Sequence, residues 1–223
     1  MTITEIMNSK ALKRLEKRNS LVEAIINREF NFSIILEACE SLPEKHISLL
    51  LEAIEEVSRS KEFTLEADYL DLAEKYILSS DNSCKREASR IVGNLANKFP
   101  TKLDNAITAL LQNTKNDGTV IRWASAYALS RIIIPQYAKS LLFEQISDLC
   151  AKEHESGVKN QYIKALKKAE KFRLVFFNNV LNNKQTADLH RRVRTQRSFL
   201  SPFSEKEVIF MLDKKAFDQL CSK

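Results

Sequence analysis

Two pairs of residues in this chain have a spacing that chemistry could use. Cys150 and His154 are four apart and would face each other on a helix. A thiolate beside an imidazole is a nucleophile candidate, and the same geometry offers half a metal site. No third partner stands at matched spacing, so the pair reads as a semi-buried Cys beside a surface His. Cys39 and His46 are separated by Pro43 and fare no better. The chain has no Gly-rich phosphate loop, no His-Glu-x-x-His and no Ser flanked by elbow glycines. With only 3 glycines no nucleotide cradle can be assembled, and the lone Gly93 reads as a site of close helix packing. Cys39, Cys84, Cys150 and Cys221 are each more than 40 residues apart, which suits reduced core fillers rather than zinc or redox motifs. These residues imply no catalytic group, no metal and no cofactor; the expectation is a protein that is not an enzyme.

Binding chemistry is better represented. The net charge is +6, yet residues 1–60 carry 8 basic and 10 acidic side chains, whereas 154–223 carry 15 and 7. Between Lys159 and Arg197, 11 basic residues meet 2 acidic ones. Lys159 and Lys164 open this stretch, Lys167, Lys168 and Lys171 follow at helical spacing, and Arg191, Arg192, Arg194 and Arg197 form its densest cluster. Arginine at such density suits bidentate contacts to carboxylate or phosphate, so the stretch could hold an acidic peptide, a nucleic acid or another polyanion. The plainer reading is a solvated basic face. Trp123, the single tryptophan, sits beside Arg122. It either flanks a packing seam or projects outward as a recognition platform.

The elements that must position these residues are helices. A sandwich or barrel of 223 residues consumes Gly and Pro in its turns, and this chain has 3 and 4. Apolar residues recur at helical spacing, as in Phe32, Ile35, Leu36 and Cys39. The spacing predicts helices over about 4–17, 20–28, 31–42, 44–60, 64–78, 84–99, 102–113, 119–134, 136–153, 156–171, 173–183 and 204–221, with 186–200 a basic stretch. The strongest signal is a recurring pattern: Lys85-Arg86-Glu87-Ala88 with Val92, Ile121-Arg122-Trp123-Ala124 with Ala128, and Val158-Lys159-Asn160-Gln161 with Ala165. Val92, Ala128 and Ala165 are 36 and 37 residues apart, a period that marks stacked helical hairpins. The expected architecture is all-α, a right-handed α-α superhelix of antiparallel helix pairs. It forms one domain over 1–223, with an N-terminal cap over 1–63, the clearest repeats over 64–171 and a basic C-terminal cap over 172–223.

The three repeat helices resemble the second helix of HEAT repeats, in which a loop acid precedes a Val/Ile-Arg/Lys pair and a run of small residues. Here Asp81 precedes Lys85-Arg86, Asp117 precedes Ile121-Arg122, and Glu153 or Glu155 precedes Val158-Lys159. The chain departs from that pattern at Gln161, where a small residue is expected. The resemblance implies an α-solenoid that works as a non-enzymatic scaffold, holding a protein partner on its curved surface. It also implies a ladder of acid–base pairs between neighbouring units. In size, helicity and basic charge the chain further resembles the alkylpurine DNA glycosylases built from HEAT-like repeats. It lacks their Trp-Trp-Asp type of site, since Ala124 follows Trp123 and there is no second tryptophan. The alternative expectation is therefore nucleic-acid binding without that chemistry. The candidate binding residues are Arg122, Trp123, Lys159, Lys164, Arg191, Arg192, Arg194 and Arg197. No stretch approaches the ~20 apolar residues of a membrane span, and the N-terminus lacks the basic and apolar regions of a secretory signal. A cytoplasmic location is expected.

Overall fold

A computed structural model of the chain describes residues 1–60, 62–133 and 140–181, with side chains described as far as Glu170, that of Ser140 excepted. Ten α-helices are present among these residues: α1 Ile3–Asn8, α2 Arg14–Ile26, α3 Phe32–Ser41, α4 Glu44–Ser58, α5 Asp68–Tyr76, α6 Asn82–Leu95, α7 Asp104–Asn113, α8 Thr119–Ile132, α9 Ser140–Lys152 and α10 Ser156–Leu181. A 3-10 turn at Pro100–Lys102 precedes α7. By contacts the chain divides into two compact units, Met1–Glu170 and Lys171–Lys223, and the packing below is that of the first.

Local chemistry sets several helix starts. The Asn31 side chain accepts the N–H of Ile34 at 3.1 Å and starts α3, and the Asp81 carboxylate accepts that of Cys84 at 2.8 Å to start α6. Thr2 and Glu5 form a reciprocal capping box at α1. The first helix expected over 4–17 is in fact two. α1 ends at Asn8, Ser9–Lys13 is non-helical, and α2 runs unbroken through Asn19 and Ser20, where a cap was expected. At the true start of α2 the Glu16 carboxylate accepts the N–H of Lys13 at 2.6 Å, doing without the Ser, Thr or Asp that usually marks such a site. α5 begins at Asp68 rather than at Thr64. The third repeat helix does not stop near Lys171 but continues to Leu181, since neither Gly nor Pro interrupts it. Residues 134–139 and 182–223, which include most of the expected C-terminal cap, lie outside the described residues.

The helices pack as sequential antiparallel pairs in two rows. α2, α4, α6 and α8 lie side by side in chain order; α1, α3, α5 and α7 form the second row, each against its neighbours. One continuous core lies between them, from Ile3 and Leu21 through Leu50, Leu51, Ile54, Leu70, Ile91 and Leu110 to Leu129, Val158 and Tyr162. Each fully buried large side chain stabilises by roughly 1.5–3 kcal/mol, so apolar burial holds the stack. The rows are also tied by polar contacts across repeats. The buried Asn113 at the end of α7 donates to the carbonyl of Ile77, just past α5, at 2.6 Å.

The closest approach is between α6 and α8. A Cβ built on Gly93 would lie 2.8 Å from the Ala128 Cα and 3.3 Å from its Cβ. Gly93 is thus a packing glycine, as its isolation in a helix suggests. The repeat step differs slightly from the sequence reading. α6, α8 and α10 begin at Asn82, Thr119 and Ser156, two equal steps of 37 residues. Ile91, Ala128 and Ala165 are then equivalent and all buried, as are Leu95, Ile132 and Ala169. The first step was expected at 36 because Ile91 and Val92 are both apolar and both buried, so either can be matched to Ala128.

Candidate functional site

With the step fixed at 37, three helices present equivalent positions on the outer side of one row. Arg86, Trp123 and Asn160 form one line across α6, α8 and α10; Arg90, Tyr127 and Lys164 a second; Asn94, Arg131 and Lys168 a third. These positions sit four apart along each helix, so each helix shows one stripe. All nine are half-buried or exposed, while the residues between them, such as Ala88, Ile91, Ala124, Ala128, Tyr162 and Ala165, are buried.

On the α2–α4–α6 side, a set of arginines and glutamates is matched within the protein. Arg14 and Arg18 of α2 pair with Glu52 of α4, and Arg18 also with Glu56. Glu55 is 2 % exposed and is held by Arg90 at 2.9 Å, Arg59 at 3.2 Å and the amide of Asn94 at 3.2 Å. Burial pushes its carboxyl above the ordinary range, against the pull of Arg90 and Arg59. Glu87, 1 % exposed, is bound by Arg86 at 2.6 Å and Arg90 at 2.9 Å. Two buried acids thus anchor the α6 arginines.

On α8 the arrangement changes from ion pairs to stacked rings. Trp123 and Tyr127 stack at 5.4 Å between centroids, and the Arg131 guanidinium lies over the Tyr127 ring at 3.9 Å. The Tyr127 hydroxyl donates to the Asn94 side-chain oxygen at 2.6 Å, and the Asn94 amide donates to Ser58 at 2.8 Å, linking α8 through α6 to α4. Among the described residues no carboxylate lies within ion-pair distance of Arg131, Lys164 or Lys168, all of them exposed.

The candidate residues separate accordingly. Arg122 is a brace: it donates to both carboxylate oxygens of Glu153, at 3.0 and 3.3 Å, and to the carbonyls of Asn116 and Asp117 at 3.0 and 2.9 Å. The Glu153 carboxylate also accepts the N–H groups of His154 and Glu155 ahead of α10. Burial works to raise the Glu153 carboxyl, but the Arg122 hydrogen bond and these two N–H groups outweigh it and hold it below the usual range. The sequence has each basic residue reaching back to the acid of its own loop, Asp81 to Lys85-Arg86 and Asp117 to Arg122, with such pairs linking neighbouring units; the link between units is present, but not through those acids. Asp81 instead caps α6, Arg86 turns to Glu87, and Arg122 reaches forward to the acid of the next repeat. Lys159 shares the line of Lys85 and Arg122, outside the stripe, whereas Trp123 and Lys164 fall within it. Arg191, Arg192, Arg194 and Arg197 lie outside the described residues. Sequence reasoning missed Arg90, Asn94, Tyr127, Arg131 and Lys168 as a set; the 37-residue step is the signal that aligns them.

The pairs with possible chemistry are not assembled. Cys150 is half-buried and His154 exposed, with His154 beyond the end of α9, and the described residues include no group of three His, Cys, Asp or Glu placed to hold a metal ion. The buried thiols of Cys39 and Cys84 are pushed up to about 11 and about 12 by burial, away from the thiolate. A small cavity beside Tyr69, Phe32 and Phe63 is mostly apolar, with Arg28 over the Phe63 ring at 6.0 Å. No helix among the described residues is long and apolar enough to cross a membrane.

No protein-family model matches this chain, and no curated protein matches it. Among solved structures it is similar to the crystal structure of an engineered protein, a Northeast Structural Genomics Consortium target. The TM-score is 0.60 at 15% sequence identity, over 76% of this chain and 78% of that one. At that identity the likeness speaks for the fold alone.

Proposed function

We propose that the chain is a non-enzymatic binding scaffold of the HEAT-repeat type. It holds a protein partner on the face where α6, α8 and α10 show their stripes, and it acts in the cytoplasm. The observation that carries this reading is the change of chemistry along one face. The arginines and acids that face one another on α2, α4 and α6 are paired internally, while Arg131 lies against the Trp123–Tyr127 stack and Lys164 and Lys168 are exposed at the equivalent positions of α10. Aromatic side chains and arginine are the groups that carry most binding energy in protein interfaces. The test is capture from native extract with the intact chain and with an Arg131→Glu, Lys164→Glu, Lys168→Glu variant. A protein recovered by the first and lost with the second supports the reading; recovery of nucleic acid alone, or a partner indifferent to the variant, overturns it.

Nucleic-acid or polyanion binding is the second reading, favoured by the charge excess between Lys159 and Arg197. Phosphate contacts by that stretch would make affinity fall steeply with salt. A salt-insensitive interaction would remove it.

A further inference from the structure

We infer that the partner segment held by this face is an extended acidic peptide whose carboxylates recur about every third residue. This rests on the scaffold reading and names its ligand. Three features of the face lead to it.

The first is charge. Glu52, Glu55, Glu56 and Glu87 are all engaged by arginines, so these four acids of the row are already neutralised. Arg131, Lys164 and Lys168 remain as an unmatched group among the described residues, and Arg86 spends its Nε on Glu87 while its side chain stays 35% exposed. The complementary ligand is anionic.

The second is orientation. The central carbon of the Arg131 guanidinium lies 3.9 Å from the centroid of the Tyr127 ring, and Tyr127 in turn stacks on Trp123. A guanidinium packed over a ring by its central carbon spends none of its N–H donors on that contact, and no carboxylate among the described residues takes them, so they are left for a bidentate contact to a ligand carboxylate. The same contacts place both Trp123 and the Arg131 guanidinium against the Tyr127 ring. Bases that bind by stacking need open ring faces, and Trp123 and Tyr127 are already stacked on each other. That favours a carboxylate ligand over a nucleic acid.

The third is spacing. Packed helices lie about 8–10 Å apart, and an extended chain advances about 3.3 Å per residue. With α10 one helix spacing beyond α8, as the equal 37-residue steps and the shared core imply, a peptide crossing the row passes from Arg131 on α8 to Lys168 on α10 in about three residues, and from Arg86 or Asn94 on α6 to α10 in about six.

Fluorescence anisotropy on the full chain tests this with four labelled probes. They are a peptide with Asp at every third position, a peptide of the same composition with its Asp residues in one block, an Asn-for-Asp version, and a single-stranded oligonucleotide of equal charge. The spaced peptide is expected to bind at least about fivefold more tightly than the blocked one and tenfold more tightly than the other two. Lys164→Glu with Lys168→Glu, both exposed and so tolerated by the fold, is expected to remove that preference; circular dichroism checks that the variant is folded. Arg191→Gln with Arg192→Gln, Arg194→Gln and Arg197→Gln is expected to leave it in place. Equal binding of spaced and blocked peptides, or tighter binding of the oligonucleotide, overturns the inference. If that happens while a native protein partner still depends on Arg131, Lys164 and Lys168, the scaffold reading stands and only its acidic ligand is wrong.

Discussion

The close contact between α6 and α8 makes a prediction that runs against ordinary helix propensity. Replacing a helical glycine by alanine is normally worth about 0.8–1 kcal/mol in favour of the helix. At Gly93 the new methyl would stand 2.8 Å from the Ala128 Cα, a backbone atom that no rotamer change can move, and 3.4 Å from the Arg131 Cδ. Carbon atoms rest about 3.5–4.0 Å apart, so the two helices must separate by roughly 0.7–1 Å. Overpacking of this kind costs about 1–3 kcal/mol. Set against the propensity gain, Gly93→Ala is expected to destabilise by about 1 kcal/mol, a fall in Tm of about 2–4 °C for a chain of this length. Gly157 supplies the control, because a Cβ there meets nothing within 4 Å. Gly157→Ala should raise Tm slightly. Urea and thermal unfolding of the two variants, followed by circular dichroism at 222 nm (a helix signal), give the comparison. If Gly93→Ala is as stabilising as Gly157→Ala, the α6–α8 packing described above is wrong.

Further outcomes follow from particular groups. The carboxyl of Glu55 is raised by burial, so the folded state binds its proton more tightly than the unfolded state does; stability from this group is lost as pH rises through the folded value. Glu55→Gln should therefore gain on the wild type as pH is raised from about 4 to 7 in urea titrations. Glu153 has the opposite sign, held low by Arg122 and two N–H groups, so Glu153→Gln should be destabilised near neutrality and approach the wild type on acidification; two slopes of the same sign would refute the pair. Asn113→Ala leaves the Ile77 carbonyl without its buried donor and should cost about 1–3 kcal/mol, read as a shift in urea midpoint; no shift would mean that this contact between repeats is not made. Arg28 follows α2 with φ 61°, in the left-handed region, where its neighbours Glu29 and Phe30 bond back to Ala24. Arg28→Gly should be more stable than Arg28→Ala by about 1 kcal/mol, and a reversed order would exclude that backbone conformation.

Much of this architecture is legible in the residues themselves. Few glycines and prolines force helices, and the stripes of α3, α4, α6 and α8 appear at the expected spacing because each packs one or both flanks against a neighbouring helix. What is hard to read is hard for physical reasons. The α1–α2 break is hidden because Lys13 and Glu16 do the work of a cap without a capping residue type. The repeat step is ambiguous by one residue because buried Ile91 and Val92 are interchangeable on composition; the helix starts fix it, and those depend on Asp81 and Gly118. Arg122 is visible as special, but its partner is not: Glu153 lies 31 positions away, in the loop before the next helix. The stripe across α6, α8 and α10 is harder still. Its lines join unlike residues, Arg90 with Tyr127 and Lys164, so a search for repeated identity passes over it. Burial preserves residue type from repeat to repeat, whereas an outward face does not require it.

The central claim is translational: equivalent outward positions recur one helix apart at every 37 residues. Electron paramagnetic resonance tests it directly, with spin labels placed through unnatural amino acids at Arg90, Tyr127 and Lys164; continuous-wave dipolar broadening reads the neighbouring pairs and the pulsed experiment the longer one. Backbone separations between neighbouring sites should each be about one interhelical distance, 8–10 Å, and that between Arg90 and Lys164 about twice as long. Three similar distances, as in a closed bundle, or a Tyr127–Lys164 separation far longer than Arg90–Tyr127, would contradict it.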